Sequence, residues 1–64
     1  MMNKEHLDYF MKELEESIYN YKDFIKISQS VENKNYFLGK YTACLDIYNQ
    51  IAEETNEYDI IELD

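Results

Sequence analysis

The strongest constraint on the fold is the spacing of large apolar residues in the first half of the sequence. They recur at alternating steps of four and three residues, which keeps their side chains on one face of an α-helix. The 64 residues contain no proline and one glycine, so little interrupts helical structure. The residues of this first stripe are Leu7, Met11, Leu14, Ile18, Tyr21 and Ile25.

A second stripe with the same alternation follows a polar segment at residues 28–35, which is rich in residues that cap helices and form turns. The pattern predicts helix one over about 4–29 and helix two over about 34–56. Asn3 is the expected N-cap of helix one, and Ser30, Asn33 or Asn35 that of helix two. Helix two can therefore begin anywhere from residue 31 to 36. Its stripe is Phe37, Tyr41, Cys44, Tyr48, Ile51 and Thr55, widened by Leu38, Leu45 and Ala52.

The single glycine, Gly39, lies within the second stripe and four residues before Ala43. A glycine inside a helix costs about 1 kcal/mol relative to alanine, so a packing reason is expected. Two small residues on one face favour close approach of another helix. The alternative is that helix two begins only near Lys40.

The two stripes predict an all-α protein, an antiparallel two-helix hairpin that forms one domain over residues 1–64. Two helices leave much apolar surface exposed, and a chain of this length buries only roughly 60% of its surface. We therefore expect two hairpins to pair as a homodimeric four-helix bundle. In the competing arrangement, the C-terminal segment of a monomer folds back over the groove. The expected helix-packing residues are Leu7, Met11, Leu14, Ile18, Tyr21, Ile25, Phe37, Gly39, Tyr41, Ala43, Cys44 and Ile51.

Charge is segregated along the chain. Residues 1–40 hold seven acids and six lysines, a net charge of −1, whereas residues 41–64 hold seven acids and no base, a net of −7. Acidic excess can serve solubility alone, but solubility does not require every lysine to precede residue 41. The short acidic tail, residues 57–64, can form a strand, a last helical turn or an end that orders on binding. Direct binding of nucleic acid is disfavoured because the phosphate backbone repels carboxylates.

These features suggest a small acidic protein that binds another protein. In this hypothesis its carboxylates mimic phosphates and occupy the basic surface of a nucleic-acid-binding protein, such as a nuclease, polymerase or repressor, as inhibitor or regulator. Lys, Asn, Ile and Tyr, which have AT-rich codons, supply 26 residues and suggest a low-GC bacterium, a phage or a mobile element. The alternative is a helical adaptor or assembly module that uses its apolar stripe. The predicted partner-binding residues are Asp46, Tyr48, Glu53, Glu54, Glu57, Tyr58, Asp59, Ile61, Glu62 and Asp64.

Residues suited to catalysis are few. His6 is the only histidine and Cys44 the only thiol, and the pattern places them on different helices. We therefore expect no enzymatic activity, no metal site and no cofactor. Apolar runs reach only three residues, as at Tyr9-Phe10-Met11, too few for a signal peptide or a membrane helix. A cytoplasmic location is expected, and an unpaired cysteine suits it.

Overall fold

The computed structural model describes residues 3–62, which form two long α-helices packed against each other as a hairpin about 40 Å long. Helix α1 spans Lys4–Ile27 and helix α2 spans Val31–Thr55. Three residues, 28–30, join them, so the helices run antiparallel. The predicted all-α helical hairpin is confirmed.

Side chains cap the beginning of both helices. The Asn3 side-chain oxygen accepts a hydrogen bond from the backbone N–H of His6 at 2.9 Å, as predicted for α1. At α2, the hydroxyl oxygen of Ser30 accepts from the N–H of Asn33 at 3.1 Å. Each bond satisfies a donor that the first helical turn leaves without a partner. Of the three candidate caps of α2 the chain uses the first, and the helix therefore begins at Val31.

The core lies along the seam between the helices. Ile18, at its centre, has no exposed surface. On α2 the buried face is turned slightly about the helix axis from the face that the stripe predicts. Leu45 and Ala52, expected at the flanks of the stripe, are buried, whereas Cys44 and Ile51, expected at its centre, are half-buried. The buried set is Met11, Ile18, Tyr41, Leu45, Tyr48 and Ala52, and the half-buried residues of the stripes are Leu7, Leu14, Tyr21, Ile25, Phe37, Cys44, Ile51 and Thr55. Leu38, expected at the flank of the second stripe, is instead 47% exposed.

The glycine does not mark the start of α2, since Gly39 lies well inside that helix. Gly39 and Ala43 are both exposed, and a Cβ atom built at Gly39 would meet nothing within 4 Å. The other helix of the hairpin therefore does not approach this pair. Close helix packing at Gly39 and Ala43, expected from the sequence, does not occur within the hairpin.

The C-terminal segment folds back over the hairpin. Asn56 adopts a left-handed conformation (φ 58°) that ends α2 and turns the chain. The side chain of Asn49 then holds the backbone of Ile61 through two hydrogen bonds: its Nδ2 donates to the Ile61 carbonyl at 2.8 Å, and its Oδ1 accepts from the Ile61 N–H at 2.9 Å. Residues 56–62 form neither a strand nor a further helical turn. The segment instead packs Tyr58 and Ile61 against the core.

Candidate functional site

The antiparallel hairpin concentrates negative charge at one end. We call residues 3–16 and 46–62 the acidic end, because they carry eleven carboxylates and only two lysines, Lys4 and Lys12, a net charge of −9. The loop end, residues 17–45, carries two carboxylates and four lysines, a net of +2. The sequence shows the acidic C-terminal part, but only the hairpin brings the acids of the first half of α1 beside it.

An ionic and aromatic cluster holds the folded-back segment to α1. Lys4 Nζ lies 3.0 Å from a carboxylate oxygen of Glu57 and 3.9 Å from one of Asp8. The Tyr58 hydroxyl donates a hydrogen bond to Asp8, and the Tyr58 ring lies 6.5 Å from that of Tyr48. Lys4 also stands 6.0 Å from the centre of the Tyr58 ring. The cluster therefore joins the beginning of α1 to the segment that follows α2.

Proton affinities in this cluster are shifted by its contacts. The hydrogen bond to the Asp8 carboxylate raises the pKa of Tyr58 to about 12, and burial and the charges of Asp8 and Glu57 act in the same direction. The ion pair with Glu57 raises the pKa of Lys4. Burial, followed by the nearby charge of Glu15, raises the pKa of Tyr48. Near neutral pH both tyrosines therefore stay protonated and Lys4 stays charged.

The predicted partner-binding residues divide into exposed acids and packed apolar side chains. Tyr48 is only 5% exposed and belongs to the core, and its hydroxyl lies 3.5 Å from Glu15. Tyr58 and Ile61 are half-buried and hold the folded-back segment in place, and all three side chains line the groove between α1 and that segment. Asp64 lies outside the described residues. The acids Asp46, Glu53, Glu54, Glu57, Asp59 and Glu62 are all exposed.

Three exposed apolar side chains of this region were not among the predicted partner-binding residues. Tyr9 of α1 is 67% exposed, and Ile60 of the folded-back segment is half exposed. Tyr19, also exposed, lines a groove of about 580 Å³ between α1 and the segment, together with Glu15 and Asp59. Tyr9 and Tyr19 lie outside the apolar stripe of α1, and that position in the sequence indicates that both side chains are exposed. For Ile60 there is no such indication, because its exposure depends on how the segment folds back.

A second surface lies on the opposite side of the hairpin from the folded-back segment. On α1, residues 10, 14, 17, 21 and 24 share one side, and on α2 residues 37, 40, 44, 47 and 51 do, since both sets alternate steps of three and four. The Phe24 and Phe37 rings are 5.1 Å apart and join the two rows. We call this surface the open face, and it consists of Phe10, Leu14, Ser17, Tyr21, Phe24, Phe37, Lys40, Cys44, Ile47 and Ile51.

Groups suited to catalysis remain apart. His6 is exposed in the first turns of α1, whereas Cys44 is half-buried in the middle of α2. Within residues 3–62, no three side chains of His, Cys, Asp or Glu come together in a way that would hold a metal ion. Neither helix of the described chain has a stretch long and apolar enough to cross a membrane.

Comparison with protein families, with characterised proteins and with solved structures finds no match for this chain.

Proposed function

We propose that this protein acts by binding, and that its acidic end occupies a basic surface of another protein that normally receives nucleic acid. The observation that carries the proposal is the gathering of eleven carboxylates and only two lysines at one end of the hairpin. Carboxylates held along helices can replace backbone phosphates in a basic groove. The partner would be a nuclease, polymerase or repressor, inhibited or regulated by being occupied.

Exposed apolar side chains at the same end support this function. Tyr9 and Ile60 stand among these carboxylates, and Tyr19, just beyond the acidic end, lines the groove with Glu15 and Asp59. These side chains would supply the buried contacts that phosphate lacks. Tyr58 and Ile61 pack against the core and line the groove beside Tyr19 and Ile60. The proposal includes no catalysis and no cofactor. It places the protein in the cytoplasm of a low-GC bacterium, as a product of a phage or mobile element.

The test is affinity capture from a nuclease-treated lysate of such a host, at low and at high salt, followed by elution with duplex DNA. The informative variant is Glu53→Gln/Glu54→Gln, which removes two charges from the acidic end. Its matched control is Asp23→Asn/Glu32→Gln, which removes two from the loop end. All four acids are exposed. Exposed ion pairs contribute about 0.2–1 kcal/mol each, so the first variant should weaken binding about 2- to 30-fold.

Support requires that DNA displaces the captured protein, that high salt weakens its binding, and that only the acidic-end variant lowers its affinity. Equal effects of the two variants would show that total charge matters and its position does not. A partner that DNA does not displace would contradict the mimicry of phosphates.

The open face favours a second function, that of a helical assembly or adaptor module. We propose that two hairpins pair through it as a homodimeric four-helix bundle. Phe24 and Ile47 are 43% and 45% exposed there, and Phe10 is 38% exposed. Apolar burial is not screened by ions, so a complex through this face should persist at high salt, unlike one through the acidic end.

A further inference from the structure

The open face carries one row of side chains on each helix, and both rows have a small residue at the centre. On α1 the row Phe10, Leu14, Ser17, Tyr21, Phe24 centres on Ser17, and on α2 the row Phe37, Lys40, Cys44, Ile47, Ile51 centres on Cys44. Large side chains stand on both sides of each centre. Rows of this kind, spaced by three and four residues, are those that pack between helices of a bundle.

The two centres lie at the same level along the hairpin. Contacts between the helices on either side of them fix this level: Phe24 meets Phe37 toward the loop, and the Tyr48 hydroxyl reaches Glu15 toward the acidic end. A twofold axis that passes through Ser17 and Cys44 would therefore place the α1 row against the α1 row of a second hairpin, and the α2 row against the α2 row. Such a surface is self-complementary, as pairing between identical subunits requires.

Two twofold arrangements fit the shape of the open face, and the charge distribution distinguishes them. With both acidic ends on the same side, a net charge of −9 faces −9. With the hairpins antiparallel, each acidic end lies beside the loop end of the other copy, which carries +2. The hairpin is 40 Å long, several times the screening length of about 8 Å at physiological ionic strength, so only neighbouring ends interact strongly. Charge thus opposes the first arrangement and favours the second.

We propose that a second copy of this chain covers the open face in the antiparallel arrangement, with the acidic end of each hairpin beside the loop end of its partner. This inference rests on the proposed pairing of hairpins and adds its orientation. It leaves the folded-back segment, with Tyr19 and Ile60, on the outer surface of the assembly. Both acidic ends then remain accessible, at opposite ends of the pair.

Whether the chain pairs through this face is tested by sedimentation of Ile47→Lys beside Tyr9→Lys. Both positions are exposed in the hairpin, so helical circular dichroism should stay unchanged in both variants. Ile47→Lys puts a charge on the open face and should weaken association at least tenfold. Tyr9 lies off that face, and its variant should associate as the unmodified protein does. A weak dimer should still form at about 100 μM. If the unmodified chain sediments as a monomer at that concentration, the proposal is overturned.

Orientation is tested by distances between spin labels attached to cysteines introduced by Asn33→Cys or Glu54→Cys, each combined with Cys44→Ser. These positions lie on α2 on opposite sides of its centre. At about 1.5 Å per residue, antiparallel pairing places two labels at 33 about 33 Å apart along the axis, and two at 54 about 30 Å apart. A mixture of the two labelled proteins should instead give a short distance between 33 and 54.

The opposite result, short distances within each labelled protein and a long one in the mixture, would overturn the orientation while leaving the pairing intact. Failure of the pairing itself would appear in sedimentation. Neither outcome bears on the binding of a basic partner by the acidic end, which the capture experiment tests separately.

Discussion

The hydrogen bonds between Asn49 and the backbone of Ile61 allow a quantitative prediction. Asn49→Ala removes both, and each such bond contributes about 0.5–1.5 kcal/mol net, so the fold-back should lose about 1–3 kcal/mol. Alanine is also the better helix former, by up to about 0.7 kcal/mol, which hides part of the loss. Asn20→Ala makes the same exchange at an exposed position of α1 and measures that gain alone.

The assay is amide hydrogen exchange at Ile61, combined with urea unfolding of the two alanine variants. A loss of about 1–3 kcal/mol should accelerate exchange at Ile61 about 5- to 150-fold in Asn49→Ala and leave it unchanged in Asn20→Ala. Asn49→Asp keeps the size and the acceptor but removes the Nδ2 donor, so it isolates the bond to the Ile61 carbonyl. Exchange at Ile61 that is equally fast in the unmodified protein and in Asn49→Ala would refute the reasoning.

Three further predictions concern the cluster, the core and the glycine. Because the folded-state pKa of Tyr58 is about 12 against about 10 when unfolded, its contribution to stability is complete below about pH 10 and is lost as pH rises to about 12. Tyr58→Phe should flatten that alkaline loss in urea titrations, and an unchanged slope would contradict the bond to Asp8. Ile18→Ala, at a fully buried position, should cost about 2–5 kcal/mol of unfolding free energy, whereas Ile27→Ala, at a 71% exposed one, should cost far less; similar losses would show that the core is misplaced. Gly39→Ala should raise the free energy of unfolding by about 0.5–1 kcal/mol without changing association, since a Cβ there meets nothing. A weaker dimer would instead mean that another helix packs on Gly39.

Periodicity and caps made much of the fold predictable. The alternating steps predict both helices and their pairing, because a face repeated every 3.6 residues must be buried against something. The start of α2 was ambiguous, since Ser30, Asn33 and Asn35 are all suitable caps and sequence gives no means of choosing. The rotation of the α2 core toward Leu45 was equally hidden, because it depends on how α1 fits against a stripe wide enough for two neighbours.

The candidate site was less predictable, since it depends on contacts between distant residues. The C-terminal acids were evident, but their meeting with those of α1 requires the antiparallel hairpin. Tyr58 and Ile61 were predicted as partner contacts, and the sequence does not show that they also hold the C-terminal segment in place through Asp8 and Asn49. The hydrogen bonds from the Asn49 side chain to the backbone of Ile61, twelve residues away, follow no repeating spacing of residue types that the sequence could reveal.

The three-residue connection between the helices also affects how the chain reaches this structure. Phe24 and Phe37, beside the connection, are thirteen residues apart, whereas Tyr58 and Asp8 are fifty apart. Forming the Asp8–Tyr58 contact first would cost about 1.2 kcal/mol more in chain entropy than forming the Phe24–Phe37 contact first. We therefore expect folding to start at the loop end and to proceed toward the termini. Substitutions at Phe24 should then slow folding, and Tyr58→Phe should mainly speed unfolding. The end proposed to meet a partner is therefore the last to form and the first to open.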